Sequence, residues 1–290
     1  MDLGYYNGKI APLEEMMIPM NDRVVYFGDG IYEATMVFNG VVQDFEDHLD
    51  RFYSSLKKLY IQAPMERDAL KETLLDFARR GDVDTWYMLY WSATRGTAPR
   101  RHAFPENTPS NLIITLIEDH LERPKERVRL ITFEDRRFEY CDVKTLNLIP
   151  SCLASQAAKE AGCHEAVFHR GEIVTECSHS NISILKDGTF QTAPADRWIL
   201  PGIGRKNLIR ASKAVGIPVL EKHFTLNELF DADEIILSSS SGQFLPAREL
   251  DGKKVGGRDQ KTLSLLWDEL ARYINGQYGF EAFDPCLAHE

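Results

Sequence analysis

Between Gly30 and Tyr60 the apolar residues change period, and that change limits what the chain can become. Ile31 to Val37 is a β-favouring run, Asn39-Gly40 is a tight turn signal, and Val41 and Val42 resume the strand, so a hairpin is predicted. From about Phe45 the apolar side chains recur instead at helical spacing. Leu49, Phe52, Tyr53, Leu56, Leu59 and Tyr60 form one stripe, with Asp44 as the expected N-cap. Such alternation implies a sheet with helices packed on it.

The alternation continues along the chain. A second helix is predicted from about Glu66 to Arg80, stopping at Gly81, and strands over Trp86–Thr94 and Leu112–Ile117. The run EDHLERPKER, from Glu118 to Arg127, is charged, contains a proline and reads as a linker. Beyond it, helices are predicted near 151–161, 203–215 and 259–275, with Gly162 and Gly216 as stops. Strands are predicted near 128–133, 164–169, 180–185, 218–221 and 233–238. The expected fold class is α/β (α+β), with a small N-terminal α/β domain over 1–120 and a larger C-terminal domain over 121–290.

Acidic residues outnumber basic ones by 44 to 34, giving a formal net charge of -10. That balance disfavours nucleic acid and anionic membranes as partners, because both repel an acidic surface. The first residues lack an apolar core of signal-peptide length, and no stretch is long and apolar enough to cross a bilayer. Five cysteines, at 141, 152, 163, 177 and 286, have no framework spacing and are expected as reduced thiols in a cytoplasmic protein. Cys163, His164 and His169 match no metal-ligand spacing, so no metal site is expected.

Five stretches can carry chemistry. Lys144, in CDVKTLNLIP, has mostly apolar or small neighbours; most lysines in such loops are solvated, but one that loses solvation becomes the neutral amine that Schiff-base chemistry needs. Glu176, in VTECSHSN, sits between two predicted strands, where it can pair with a protonated ring nitrogen or with local turn amides. Leu200-Pro-Gly-Ile-Gly-Arg leads into a helix, and Ser238-Ser-Ser-Ser-Gly242 follows a strand. Amides and hydroxyls placed in this way bind phosphate. Arg95, Arg100, Arg101 and His102 lie in one Gly- and Pro-rich loop, which suits a carboxylate trap or a solvated basic surface. Neither a dinucleotide nor a P-loop fingerprint is present.

These pieces resemble the signature of the fold-type IV enzymes that use pyridoxal 5′-phosphate (PLP). Glu176, Asn181 and Ile182 open it, Phe190-Gln191-Thr192 continues it, and Leu200-Pro201-Gly202-Ile203-Gly204-Arg205 closes it. YFGDGIYE, HLDRFY and TRGTAPRRHAFPEN look like the D-amino-acid aminotransferase subgroup. The resemblance implies transamination between D-amino acids and 2-oxo acids such as 2-oxoglutarate or pyruvate. It also implies a homodimer in which each active site borrows a loop from the partner subunit. Branched-chain L-amino-acid or (R)-amine transamination, and aminodeoxychorismate lyase activity, are the alternatives within the same fold.

Carried over by position, Lys144 would hold PLP as a Schiff base and shuttle the proton, and Glu176 would pair with the ring nitrogen. Arg51, Ile203, Gly204, Ser239 and Ser240 would hold the phosphate, and Leu200 would pack on the ring. Tyr32, Arg100 and His102 would hold the substrate carboxylate, the last two from the partner subunit, with Tyr90 and His179 also lining the pocket. Three departures stand out. Ser183 replaces the family's usual Phe or Tyr, Gly204 replaces a phosphate-binding threonine and predicts a weaker grip, and His179 replaces a small serine.

Overall fold

The structure, a computed structural model, describes residues 2–120 and 127–282. Residues 121–126 of the expected linker, and Cys286, lie outside the described residues. The chain falls into two compact units, one formed by 1–121 with Val143–Asn147, the other by 122–142 with 148–290. The short segment with Lys144 thus belongs to the first unit, although it follows the first stretch of the second in sequence.

The first unit contains β1 (Leu3–Tyr6), β2 (Lys9–Pro12), α1 (Arg23–Phe27), β3 (Gly30–Phe38), β4 (Val41–Val42), α2 (Phe45–Lys58), α3 (Arg67–Ala78), β5 (Trp86–Thr94) and β6 (Asn111–Glu118). The strands form one sheet in the order β2-β1-β6-β5-β3-β4. All its pairings are antiparallel. The predicted hairpin is present, with Asn39 and Gly40 at φ 49° and 76°, the double positive φ that a two-residue turn needs. Leu49, Phe52 and Leu56 of α2 and Leu70, Leu74 and Phe77 of α3 pack on Ile31, Leu89, Trp91 and Ile114 of the sheet. Burial of each such side chain contributes about 1.5–3 kcal/mol.

Two details differ from the sequence reading. Asp44 stands at the N-cap position but at φ 48°, with no side-chain capping bond. Tyr60 lies past the helix end in a left-handed conformation and is exposed, because the apolar stripe closes at Leu59.

The second unit contains β7 (Val128–Glu134), α4 (Ile149–Glu160), β8 (Glu165–Arg170), β9 (Ile173–Cys177), β10 (Asn181–Lys186), β11 (Thr189–Thr192), α5 (Ile203–Ala214), β12 (Val219–Glu221), α6 (Leu226–Phe230), β13 (Glu234–Ser238), β14 (Leu245–Leu250), β15 (Lys253–Lys254) and α7 (Gln260–Tyr278). Its strands run β12-β11-β10-β13-β14-β7-β8-β9, with β15 paired to β14. The sheet is mixed, with parallel pairs at β11/β12, β14/β7 and β7/β8. Every residue of β13 is buried, and β10 is buried except at Lys186, as expected for strands covered on both faces. Gly162 and Gly216 take positive φ just after α4 and α5, the stops expected of them.

Candidate active site

Alternation along β3 and β5 gives the first unit two chemically different faces. Odd-numbered Ile31, Glu33, Thr35 and Val37 are buried, whereas Tyr32 and Tyr90 are half-buried on the opposite face. Their rings stack with centroids 5.2 Å apart. Burial, then the neighbouring Tyr32, pushes the Tyr90 hydroxyl above its ordinary range. The 143–147 segment runs along the start of β3, with Tyr32 N donating to the Lys144 carbonyl at 2.9 Å. This pairing sets Lys144 Nζ over the Tyr32 ring, 4.3 Å from its centroid. The amine, half-buried, thus shares one face with Tyr32 and Tyr90, a grouping that the expected roles require.

Arg51 is buried on the helix-covered face. Its Nε and Nη2 donate to the two oxygens of Glu33, each at 2.7 Å, and His48 Nδ1 lies 2.7 Å from Glu33 Oε2. Burial alone would raise the Glu33 carboxyl; Arg51 and His48 outweigh it and hold it at about 2. Glu33 therefore fixes the attitude of the expected phosphate arginine.

The loop after β5 is fastened from beneath. Arg23 bonds Asp29 at 2.7 Å and the Arg101 carbonyl at 2.6 Å, and Arg95 bonds Asp29 and the carbonyls of Leu59 and Tyr60. Arg95 is thus buried in structure rather than available as part of a carboxylate trap. Arg100 and His102 remain exposed and gather at one ring, with the Arg100 guanidinium 5.3 Å and the His102 ring 5.4 Å from Phe27. Their ring contacts are with Phe27, not with the Lys144, Tyr32 and Tyr90 group.

In the second unit Glu176 lies within β9 rather than in a turn between strands. Its Oε2 accepts from Asn181 Nδ2 at 2.9 Å and from the Leu200 amide at 3.0 Å, and its Oε1 accepts from Arg137. Burial raises the Glu176 carboxyl, and Arg137 opposes the rise without cancelling it. Asn181 Nδ2 also donates to the Leu200 carbonyl at 2.9 Å, so three residues of the signature meet at one point.

The close of the same signature builds an anion cradle. Gly202 is the N-cap of α5 and offers no side chain, so the first-turn amides of Ile203 and Gly204 are left for a ligand. A Cβ at Gly204 would come within 2.9 Å of the Ser239 carbonyl and 3.1 Å of Ser238 Cβ. The buried Ser238 Oγ has no hydrogen-bond partner, and Ser239 is folded over by mutual bonds with Gly242. Half-buried Ser240 follows it, its carbonyl accepting from Gln243 Nε2. An uncapped helix start and an orphaned buried hydroxyl, closed in by a glycine contact, suit a phosphate group.

His179 sits in the β9–β10 turn with its ring half exposed. The turn is anchored on the fully buried Glu165, which accepts from the His179 and Ser180 amides at 2.6 and 3.0 Å and from the hydroxyls of Ser178 and Ser180. Sequence reasoning missed Glu165, Glu33, Asp135 and Arg137. The available signal was that every buried acid needs a donor set, which for Glu176 points to a nearby arginine.

A family model described as amino-transferase class IV matches residues 30–250. The chain is 37% identical over 254 residues to a D-alanine aminotransferase of Listeria monocytogenes serotype 4b (strain F2365), across 86% of this chain and 88% of the relative. It is 36% identical over 281 residues to one of Staphylococcus aureus (strain MSSA476), across 94% and 98%. The fold matches a branched-chain aminotransferase from Thermoproteus uzoniensis with a TM-score of 0.86 at 24% identity over 95% of each chain. With more than half its length matched by the family model, and two relatives well above 30% identity, this chain belongs to the class IV aminotransferases.

Proposed function

We propose that the protein is a PLP-dependent transaminase that moves amino groups between D-amino acids and 2-oxo acids. The observation that carries the reading is the meeting of Glu176, Asn181 and Leu200 beside the α5 cradle. A buried carboxylate suits a protonated ring nitrogen, and uncapped amides with an orphaned hydroxyl suit a phosphate. When bound, PLP supplies an aldehyde that captures amines and a ring that accepts the electron pair left at the substrate α-carbon.

The residues of the chain supply the rest. Lys144 would hold the cofactor as a Schiff base, and its amine would supply the base that removes the substrate α-proton and carries it onward. Glu176 would accept the ring N–H, and Ile203, Gly204, Ser239 and Ser240 would receive the phosphate, with Arg51, held on Glu33, as the expected phosphate arginine. Leu200 would pack on the ring. Tyr32, with Tyr90 stacked on it, lines the substrate side, and His179 borders the side-chain pocket. Arg100 and His102, exposed at Phe27, serve the site of a second copy in a homodimer and hold the substrate carboxylate. The described cysteines are free thiols, in keeping with a cytoplasmic setting.

The test is a substrate panel on purified, PLP-loaded protein with 2-oxoglutarate or pyruvate as acceptor. Conversion of D-alanine but not L-alanine is expected. Turnover of L-leucine alone would reverse the stereochemical reading, and a yellow protein inert to every amine would remove the transaminase reading altogether.

A further inference from the structure

Glu176 is an acid in a site almost closed to water, only 6% exposed, where burial raises its carboxyl and the charge of Arg137 is the strongest influence opposing the rise. Asn181 and Leu200 supply neutral bonds to Oε2, whereas the charged bond, to Oε1, comes from Arg137. Arg137 is in turn fixed. Its Nε donates to Asp135 Oδ1 at 3.0 Å and its Nη2 to Asp135 Oδ2 at 2.9 Å, a two-pronged grip that leaves Nη1 for Glu176. The guanidinium lies 4.5 Å from the centre of the Phe168 ring, and Nη2 also reaches the Trp198 carbonyl at 3.2 Å. Asp135 is held by Arg170 Nε at 3.1 Å and Thr175 Oγ1 at 3.0 Å, so the clamp has its own support.

We propose that Arg137, gripped by Asp135, positions Glu176 and keeps it an anion toward the ring nitrogen of the cofactor. The inference rests on the reading of Glu176 as the ring-nitrogen partner. An ionised carboxylate has about four acceptor directions. Asn181 and Leu200 use two on Oε2, Arg137 uses one on Oε1, and the remaining one on Oε1 serves a ring N–H. A protonated Glu176 would instead present an O–H donor, and the ring would lose the charge that makes it an electron sink. The other titratable groups near the pair are Asp135, Arg170, Glu139, Cys141 and Cys177. Glu139 stands off at 3.9 Å from Arg170. Burial pushes the Cys141 thiol up to about 11 and Cys177 well above its ordinary value, so neither adds charge at neutral pH.

The experiment is isotope-edited infrared spectroscopy of the apo protein at neutral pH, comparing wild type, Arg137→Gln, Arg137→Lys and the double variant Arg137→Gln/Glu176→Gln. Arg137→Gln is expected to gain a protonated-carboxyl band that wild type and Arg137→Lys lack and that the double variant loses. No Glu176-dependent band in folded Arg137→Gln overturns the proposal. Should Arg137→Gln not fold, Asp135→Asn keeps Arg137 and Glu176 in place and loosens the grip of residue 135 on Arg137. A shifted Glu176 carboxylate band there supports the clamp, and an unchanged one overturns it. The cofactor reading is judged separately by PLP titration of Glu176→Gln: unchanged affinity and visible spectrum would remove Glu176 from the cofactor site whatever the infrared result.

Discussion

Asn181 Oδ1 fills the space that a Cβ on Gly202 would need, while its Nδ2 bonds Glu176. The amide that holds the buried acid therefore occupies space that only glycine at position 202 leaves open. Gly202→Ala should push Asn181 away and break its bonds to Glu176 and the Leu200 carbonyl. Leaving such buried groups unpaired costs about 1–3 kcal/mol each, so a clear drop in the thermal midpoint and in PLP retention is expected. Wild-type melting together with wild-type PLP affinity in this variant would contradict the role assigned to Gly202.

Gly204 makes the opposite case to the one drawn from family resemblance. A threonine there adds a hydroxyl and so was expected to tighten the phosphate grip. In this chain, however, a Cβ at 204 would press on the Ser239 carbonyl at 2.9 Å and on the Ser239 amide at 3.2 Å. Overpacking of this kind costs about 1–3 kcal/mol. Gly204→Thr should therefore weaken PLP binding by roughly tenfold, about 1.4 kcal/mol. Titration of the apo protein, followed by quenching of tryptophan fluorescence, checks it; tighter binding would mean that the 239–242 loop yields without cost.

Glu33 sets the acid side of stability. Its carboxyl is held at about 2 against an ordinary 4.5, with burial opposed by Arg51 and His48. A folded-state value below the unfolded one means that the ionised group stabilises the fold above about pH 4.5 and loses this effect as pH falls toward 2. Glu33→Gln also removes the carboxylate that both Arg51 and His48 bond, so a cost of about 3–5 kcal/mol is expected at neutral pH. The gap between wild type and variant in urea unfolding should narrow steadily from pH 5 to pH 2, roughly the window the shift defines. A gap independent of pH would show that Glu33 acts through packing alone.

Much of the fold could be read from spacing. β3 and β5 follow from β-favouring apolar runs, α2 from its stripe, and the Asn39-Gly40 turn from its residue types. The β1/β2 hairpin carried the same signal at Asn7-Gly8, with φ 46° and 96°, but its strands are four residues each and too short for a convincing pattern. α6 was marked by the Thr225/Glu228 capping box, easily passed over before five helical residues. Of the site, Glu176, Asn181 and the α5 glycines were legible because the signature places them. Arg137 was not, because Glu134 to Arg137 reads as a solvated charge run. Burial of Asp135 and Arg137 comes from the packing of Phe168, Thr175 and Trp198 around them, which are distant in sequence.

Lys144 gives the sharpest separation of chemistry from stability. Its side chain makes one described contact, the Tyr32 ring at 4.3 Å, whereas the bond that seats the 143–147 segment on β3 uses its backbone carbonyl. Removing the amine thus forfeits a cation–π contact worth about 0.5–1 kcal/mol and leaves the segment in place. Lys144→Ala should melt within a few degrees of wild type. It should also retain PLP through the phosphate cradle while losing borohydride-dependent covalent attachment. Without a base at the α-carbon, solvent deuterium should no longer enter D-alanine, and transamination should fall by about a thousandfold or more. Added small primary amines should restore part of the exchange, because they replace the proton carrier without touching the fold. Exchange at the wild-type rate in Lys144→Ala would shift the proton-transfer role to another group on that face, with the Tyr32 hydroxyl the first to test.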